Sequence, residues 1–241
     1  MEKIKIGVLC PSEIAFRRFL PALQQSQYFE YIGVAVAAAG EWFGEPTPEQ
    51  KEAEQAKAQK FADSYAGKIF KGYGELLNDQ DVEAVYVPLP PALHYEWAKK
   101  ALLAGKHVLL EKPFCTNMQD TEDLLNLAAE NHLAVHENYM FVYHSQLTWI
   151  REHMAEIGEL RLIRIDFGFP FRGTNDFRYN RELGGGALLD CGGYTLKLAG
   201  YFLGNSARIT TSQLNMQPEF GVDIGGSATF TNDQGLTAQV A

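Results

Sequence analysis

Short apolar runs with strand character alternate along the chain with segments of helical spacing. Residues 3–9 set Ile4, Ile6 and Val8 against polar lysines, a period-two strand pattern. Cys10-Pro11-Ser12-Glu13 is a turn that opens a helix, with Ser12 as N-cap. Ile14, Phe19, Leu20 and Leu23 fall near one face of that helix, and Pro21 predicts a kink or a restart. A second buried strand is expected over 31–39. A polar loop over 40–48 follows, and Thr47-Pro48-Glu49-Gln50 has capping-box spacing with proline at the first helical position. A charged helix then runs to Tyr65, its Glu and Lys residues forming a solvated face. The pattern predicts a short helix from 73 to 77, a strand over 82–88 and a helix over 92–104 ended by Gly105. It continues with a strand over 107–110, a helix over 118–130 and a strand over 133–141. Alternation of this kind predicts a doubly wound parallel sheet, a Rossmann-type α/β domain over residues 1–141.

Beyond 141 the rhythm changes. A helix over 146–154 precedes a long alternating strand over 160–169, a glycine-rich lead-in to a helix over 184–203, and strands over 207–214, 226–230 and 235–240. This predicts a second, α+β domain over 142–241 with a mainly antiparallel sheet. The pattern stops at Ala241 without a closing element, so the expectation is a domain incomplete at its C-terminus.

Composition narrows the function classes. The 241 residues are 46% hydrophobic and 21% charged, and the net charge of −9 argues against nucleic acid or an anionic membrane surface as partner. The longest near-apolar run, 31–40, is about half of what a membrane helix needs, and the opening Met1-Glu2-Lys3-Ile4 alternates instead of forming a signal peptide. A cytoplasmic protein is expected. Three cysteines, Cys10, Cys115 and Cys191, have no metal-type spacing and suit a reducing compartment. His132 and His136 are spaced like ligands on one helix face, but their segment reads as a strand, so no metal site is expected.

Candidate chemistry concentrates where strands end. In Val108-Leu109-Leu110-Glu111-Lys112-Pro113 a lysine lies just past the carboxyl end of a strand, the edge where open α/β sheets bind ligands. The opening strand, turn, helix and strand have the order of a dinucleotide-binding unit whose helix N-terminus favours a pyrophosphate. Its glycine fingerprint is eroded, with Cys10, Ser12 and Ala15 where glycines are usual. After Val36 the chain reads Ala37-Ala38-Ala39-Gly40, offering neither an acid for a ribose hydroxyl nor an arginine for a 2′-phosphate.

Taken in order, several stretches resemble the glucose-fructose oxidoreductase / inositol dehydrogenase / rhizopine catabolism family, Gfo/Idh/MocA. They are Ile6-Gly7-Val8-Leu9, Pro88-Leu89-Pro90 with His94, Ala104-Gly105-Lys106-His107-Val108 leading into Glu111-Lys112-Pro113, and Gly184-Gly185-Gly186-Ala187-Leu188-Leu189-Asp190. The resemblance covers nearly the whole chain and implies NAD or NADP as cofactor, with the preference open. It places Cys10, Pro11, Ser12, Glu13 and Ile14 at the pyrophosphate. Ala38 falls by the ribose, where relatives often carry Ser-Arg, and Pro88, Leu89, His94 and Glu111 fall on the nicotinamide side. Lys112 matches the family's catalytic lysine. Polyol dehydrogenases of the family read Asp-x-Gly-x-His-x-x-Asp after the glycine run, whereas this chain has Tyr194 for the histidine and Lys197 for the second aspartate. Tyrosine at that place resembles the subgroup with glucose-fructose oxidoreductase, dihydrodiol dehydrogenase and nucleotide-sugar 3-ketoreductases, which implies a sugar or nucleotide-sugar substrate. Pairing through the second domain's sheet into a homo-oligomer is implied as well.

Hydride transfer at a carbinol or keto carbon needs a proton moved to or from oxygen. Tyr194 is the expected proton carrier and Lys112 the cation that polarises the oxygen and lowers the phenol's pKa, with exchanged roles open. Asp190 is expected to bind a sugar hydroxyl or orient Lys112, the alternative being a helix N-cap. The aromatic residues Phe167, Phe169, Phe171, Phe177 and Tyr179 face either a substrate or a second copy. The competing reading is a catalytically inactive or truncated member that binds a nucleotide or sugar as a regulator. Its motives are the eroded glycine turn, the missing ribose reader and the stop at Ala241.

Overall fold

The computed structural model describes residues 2–174 and 176–241, so Met1, where the strand reading of the chain's start begins, lies outside the described residues. Contacts divide the chain into two compact units, Met1–Asn138 and Tyr139–Ala241.

The first unit is built on a six-stranded sheet in the order β3-β2-β1-β4-β5-β6. The strands are β1 (Ile4–Leu9), β2 (Phe29–Ala35), β3 (Lys68–Phe70), β4 (Ala84–Val87), β5 (His107–Leu110) and β6 (Val135–Glu137), and all neighbours are parallel. The helices are α1 (Leu20–Gln24), α2 (Pro48–Tyr65), α3 (Tyr73–Asn78), α4 (His94–Leu103) and α5 (Met118–Glu130). Period-two side chains give each strand two apolar faces. Ile6 and Val8 of β1 and Ala84 and Tyr86 of β4 pack with Leu20, Leu23, Ala58 and Phe61 on one face. Leu9, Val85 and Val87 pack with Tyr73, Leu76, Trp97, Leu102 and Leu124 on the other.

Local signals account for most of these elements. Thr47 and Gln50 form the reciprocal capping box that starts α2, at 3.3 and 2.8 Å. Before Pro21 the chain forms a π-helical stretch, Ala15–Phe19, in which the Leu20 N–H reaches back to the Ala15 carbonyl. Proline offers no N–H and its ring crowds the carbonyl four residues before it, and the wider turn absorbs both.

Some expected boundaries are corrected. The strand expected over 31–39 ends at Ala35, because the N–H groups of Ala37 and Ala38 bond carboxylates instead of a neighbouring strand. The three-residue β3 carries no pattern long enough to read. The strand expected over 133–141 shortens to β6, and Met140–Tyr143 is a 3-10 turn. The helix expected over 92–104 begins as a 3-10 turn, Pro91–Leu93.

The second unit contains α6 (Ser145–His153), β7 (Leu162–Ile165), a π-helical turn (Leu188–Gly192) running into α7 (Gly193–Leu203), and β8 (Arg208–Gln217), β9 (Val222–Thr231) and β10 (Thr237–Val240). Its sheet order is β7-β10-β9-β8, antiparallel except for β7 beside β10. The long strand expected over 160–169 is only β7, whose ladder partner β10 is itself four residues long. Ala199 and Leu203 of α7 close over Ala238 and Val240 of β10.

Phe61 is the main anchor of α2, which otherwise buries only Ala58. Replacement by alanine is expected to cost about 3–5 kcal/mol in urea unfolding, whereas Glu52→Gln on the same helix's exposed surface leaves the midpoint within error.

Candidate functional site

The strand order reverses direction between β1 and β4, and the crevice beyond the carboxyl ends of such neighbours is where doubly wound sheets bind ligands. After β1, Cys10 adopts φ +79°, the left-handed conformation that the glycine of a phosphate turn supplies. A residue with a Cβ holds it at about 1–2 kcal/mol. The Cys10 N–H is tied to the Ala35 carbonyl at 3.2 Å. The Ser12 hydroxyl caps the following helix by accepting from Ala15 N at 3.2 Å. Glu13 and Ile14 are already helical, so Pro11 and Ser12 bring the chain into a helix N-terminus beside this turn. Burial, with Glu54 nearby, pushes the Cys10 thiol up to about 12, so it stays neutral and adds no charge against an anion. The backbone therefore fits a pyrophosphate although the glycines are gone.

At the end of β2, Glu54 Oε1 accepts the Ala37 N–H at 2.7 Å and Trp42 Nε1 donates to the Ala37 carbonyl at 3.1 Å. Glu41 accepts from Ala38, Tyr73 and Gly74 at 2.8, 2.7 and 2.9 Å. Burial raises the Glu54 carboxyl above the usual range, opposed by the Ala37 N–H and by Lys57. A cavity of about 570 Å³ opens here, lined by Ala37, Trp42, Lys51, Glu54 and Gln55 among others. Sequence reading missed Glu54, which acts from 17 residues further along the chain, and Glu41, whose bonds to Tyr73 and Gly74 span 32 and 33 residues although its bond to Ala38 is local.

The turns after β4 and β5 share one fastener. His94, fully buried at 0% exposure, places Nε2 2.7 Å from the Leu89 carbonyl and Nδ1 2.7 Å from the Pro113 carbonyl. It thereby sits beneath both the Pro88-Leu89-Pro90 and Glu111-Lys112-Pro113 turns, and as a neutral imidazole it donates to one of the two carbonyls. Burial lowers its pKa, outweighing the two carbonyls that favour the cation. Glu111 is buried and accepts from Tyr86 Oη at 2.6 Å and Asn138 Nδ2 at 2.7 Å. Lys112, half-buried, follows in a cis-proline turn. The residues singled out by sequence at positions 10–14, 38, 88, 89, 94, 111 and 112 thus all lie at the carboxyl edge of one sheet or directly under it.

Tyr194 and Asp190 belong to the second unit. Asp190 does not cap the helix; its carboxylate accepts from Arg178 Nε at 2.6 Å, and Arg178 also pairs with Asp176 at 3.1 Å. Burial works against the guanidinium's charge, but Asp190 and Asp176 outweigh it and raise its pKa. The capping duty falls to Asp223 of β9, which accepts the Leu188 N–H at 2.7 Å. Gly186, at φ +122°, must be glycine there, since a Cβ would lie 2.4 Å from Asp223 Oδ1. Tyr194 sits on α7 among Tyr139, Phe141 and Phe167, with ring centroids at 5.1, 5.8 and 5.2 Å. A Cβ on Gly193 would collide with Tyr139 Oη, so the glycine before Tyr194 admits that phenol against the helix. A cavity of about 530 Å³ is lined by Phe167, Phe169, Phe171, Tyr179, Arg178 and Asp190 among others, a size that suits a small organic ligand.

The His94 fastener makes a pH-dependent prediction. An unfolded histidine titrates near 6.5, the folded one lower, so between the two the unfolded chain binds more protons. The contribution of this residue is complete above about pH 6.5 and is lost as pH falls towards the folded value. His94→Gln is expected to be less stable than the wild type at pH 7.5 by about 1–3 kcal/mol, and the gap should narrow at pH 5.5 in urea unfolding.

A family model described as oxidoreductase family, NAD-binding Rossmann fold, matches residues 51–139, and one described as the GFO/IDH/MocA C-terminal domain matches residues 150–241. The dTDP-3,4-didehydro-2,6-dideoxy-alpha-D-glucose 3-reductase of Actinomadura kijaniata is 39% identical over 239 residues, covering 98% of this chain and 67% of that protein. The reductase of the same name from Streptomyces violaceoruber is 40% identical over 240 residues, covering 98% and 66%. The chain thus spans about two thirds of the length of these relatives. The crystal structure of KijD10, a 3-ketoreductase from Actinomadura kijaniata in complex with NADP and TDP-benzene, superposes with a TM-score of 0.88 at 38% identity, covering 99% of this chain and 69% of that one. With both of its units matched and this fold beneath them, the chain belongs to the Gfo/Idh/MocA oxidoreductases.

Proposed function

We propose that this chain transfers a hydride between NAD or NADP and a carbinol or keto carbon of a sugar, with a nucleotide-linked keto sugar as the favoured substrate class. What supports this most is a likeness to two dTDP-keto-sugar 3-reductases that runs through 98% of the chain and so includes both units. Two observations also support it over a non-catalytic reading. Cys10 holds the backbone conformation of the absent glycine, and a carboxylate stands at the end of β2.

Bound in the carboxyl-edge crevice, the dinucleotide supplies the hydride. The remaining work falls to this chain's side chains. In the proposal, Lys112 places an ammonium where alkoxide character develops on the reacting oxygen, and Tyr194 carries the proton to or from that oxygen. A preorganised cation of this kind acts on the transition state more than on the ground state. Asp190, paired with Arg178, is proposed to fix the wall of the aromatic cavity and offer an acceptor to a sugar hydroxyl. Flat rings along that cavity suit a ring-bearing substrate. The homo-oligomer expected through the second unit's sheet remains part of the proposal, with exposed Ile209, Leu214 and Met216 on β8 as the surface to be covered. A reducing compartment such as the cytoplasm suits three cysteines in this sequence.

With a dTDP-linked keto sugar and reduced nicotinamide, Lys112→Ala and Tyr194→Phe are each expected to lower kcat by about 10²- to 10³-fold with dinucleotide affinity little changed. Full activity in the Lys112→Ala protein would sink the assignment.

A further inference from the structure

NAD and NADP differ by one phosphate on the adenosine ribose, and in doubly wound folds that ribose lies at the carboxyl end of the second strand. In this chain the residues that follow β2 in sequence, from Val36 to Gly40, carry no charge and cannot make the distinction. The tertiary structure brings a charge there from α2. Glu54 reaches back to the strand end and uses Oε1 for the Ala37 N–H at 2.7 Å, while Oε2 makes no hydrogen bond among the described residues. Trp42 holds the Ala37 carbonyl from the other side, so the backbone at this point is fixed. Glu54 also lies close enough to Cys10 to act on its thiol, which sets the carboxylate between the pyrophosphate turn and the cavity at the end of β2. A ribose joining an adenine to a pyrophosphate passes between those two places.

We propose that Glu54 reads the adenosine ribose, accepting its 2′-hydroxyl through Oε2 and repelling a 2′-phosphate, so that this chain prefers NAD to NADP. The inference rests on the reading that the chain binds a nicotinamide dinucleotide. A ribose hydroxyl donates a charge-assisted hydrogen bond to a carboxylate. A phosphate dianion has no such proton to give and meets like charge. The competing groups are Lys51, which lines the same cavity, and Lys57, which lies close enough to act on both Glu54 and the Cys10 thiol. Both lysines are exposed, on flexible stems, and screened by solvent, whereas Glu54 is half-buried and pinned by Ala37. The carboxylate therefore decides. The preference would separate this chain from the similar 3-ketoreductase whose structure is in complex with NADP.

The test is titration of the purified chain with NADH and separately with NADPH at pH 8, following nicotinamide fluorescence. NADH is expected to bind at least about tenfold more tightly, a gap of about 1.4 kcal/mol. Glu54→Gln keeps the size of the side chain and an acceptor for Ala37 N–H but removes the charge, and it should close most of that gap. Glu52→Gln, a charge removed from the same helix outside the cavity, should leave the ratio unchanged. Tighter binding of NADPH to the wild type, or an unchanged ratio in folded Glu54→Gln, would overturn the role of Glu54 while leaving the oxidoreductase reading intact. Binding of neither dinucleotide would overturn both.

Discussion

Every parallel strand that ends leaves backbone N–H and C=O groups without a neighbouring strand, and the candidate site of the first unit depends on how those groups are satisfied. Here buried or half-buried side chains do it. Glu54 and Trp42 hold Ala37, Glu41 holds Ala38, Tyr73 and Gly74, and His94 faces the carbonyls of Leu89 and Pro113. Each bond is worth only about 1 kcal/mol net, but leaving a buried partner unmade costs more. The loops are thereby fixed without further secondary structure, and a fixed loop can offer its backbone to a ligand at no ordering cost.

The same logic recurs in the second unit. Asp223 satisfies the start of the π-helical turn, and its position requires Gly186. Arg178 is then held between Asp190 and Asp176, with its guanidinium over the Phe169 and Phe177 rings at 5.5 and 4.5 Å. Buried charge is tolerated because each partner is paired and hydrogen-bonded. The glycine run at 184–186 and 192–193 therefore serves close approach: Asp223 against Gly186 and the Tyr139 phenol against Gly193.

His94 shows what burial adds to the reading of a motif residue. Its place beside Pro88 and Leu89 suggested a lining position on the nicotinamide side, and the fold gives it 0% exposure and a task beneath two turns. Asp190, expected to bind a sugar hydroxyl or orient Lys112 with a helix N-cap as the alternative, is found in an ion pair with Arg178 that is compatible with the sugar-hydroxyl role proposed for it.

What the sequence by itself determined is the alternation of strands and helices in the first unit, the capping box at Thr47, the Ser12 cap, and the location of Lys112 past the end of β5. These are local, since periodicity, capping and turn chemistry act within a few residues. Strand ends and the three-residue β3 were less legible because they depend on which backbone a neighbour offers. Only the tertiary structure decided that Cys10 takes a glycine's conformation, that Asp223 caps a helix from another strand, and that Glu54 supplies the charge absent after β2. In each case the deciding contact joins residues far apart in sequence, and neither composition nor spacing records which distant group a fold will bring to a free N–H.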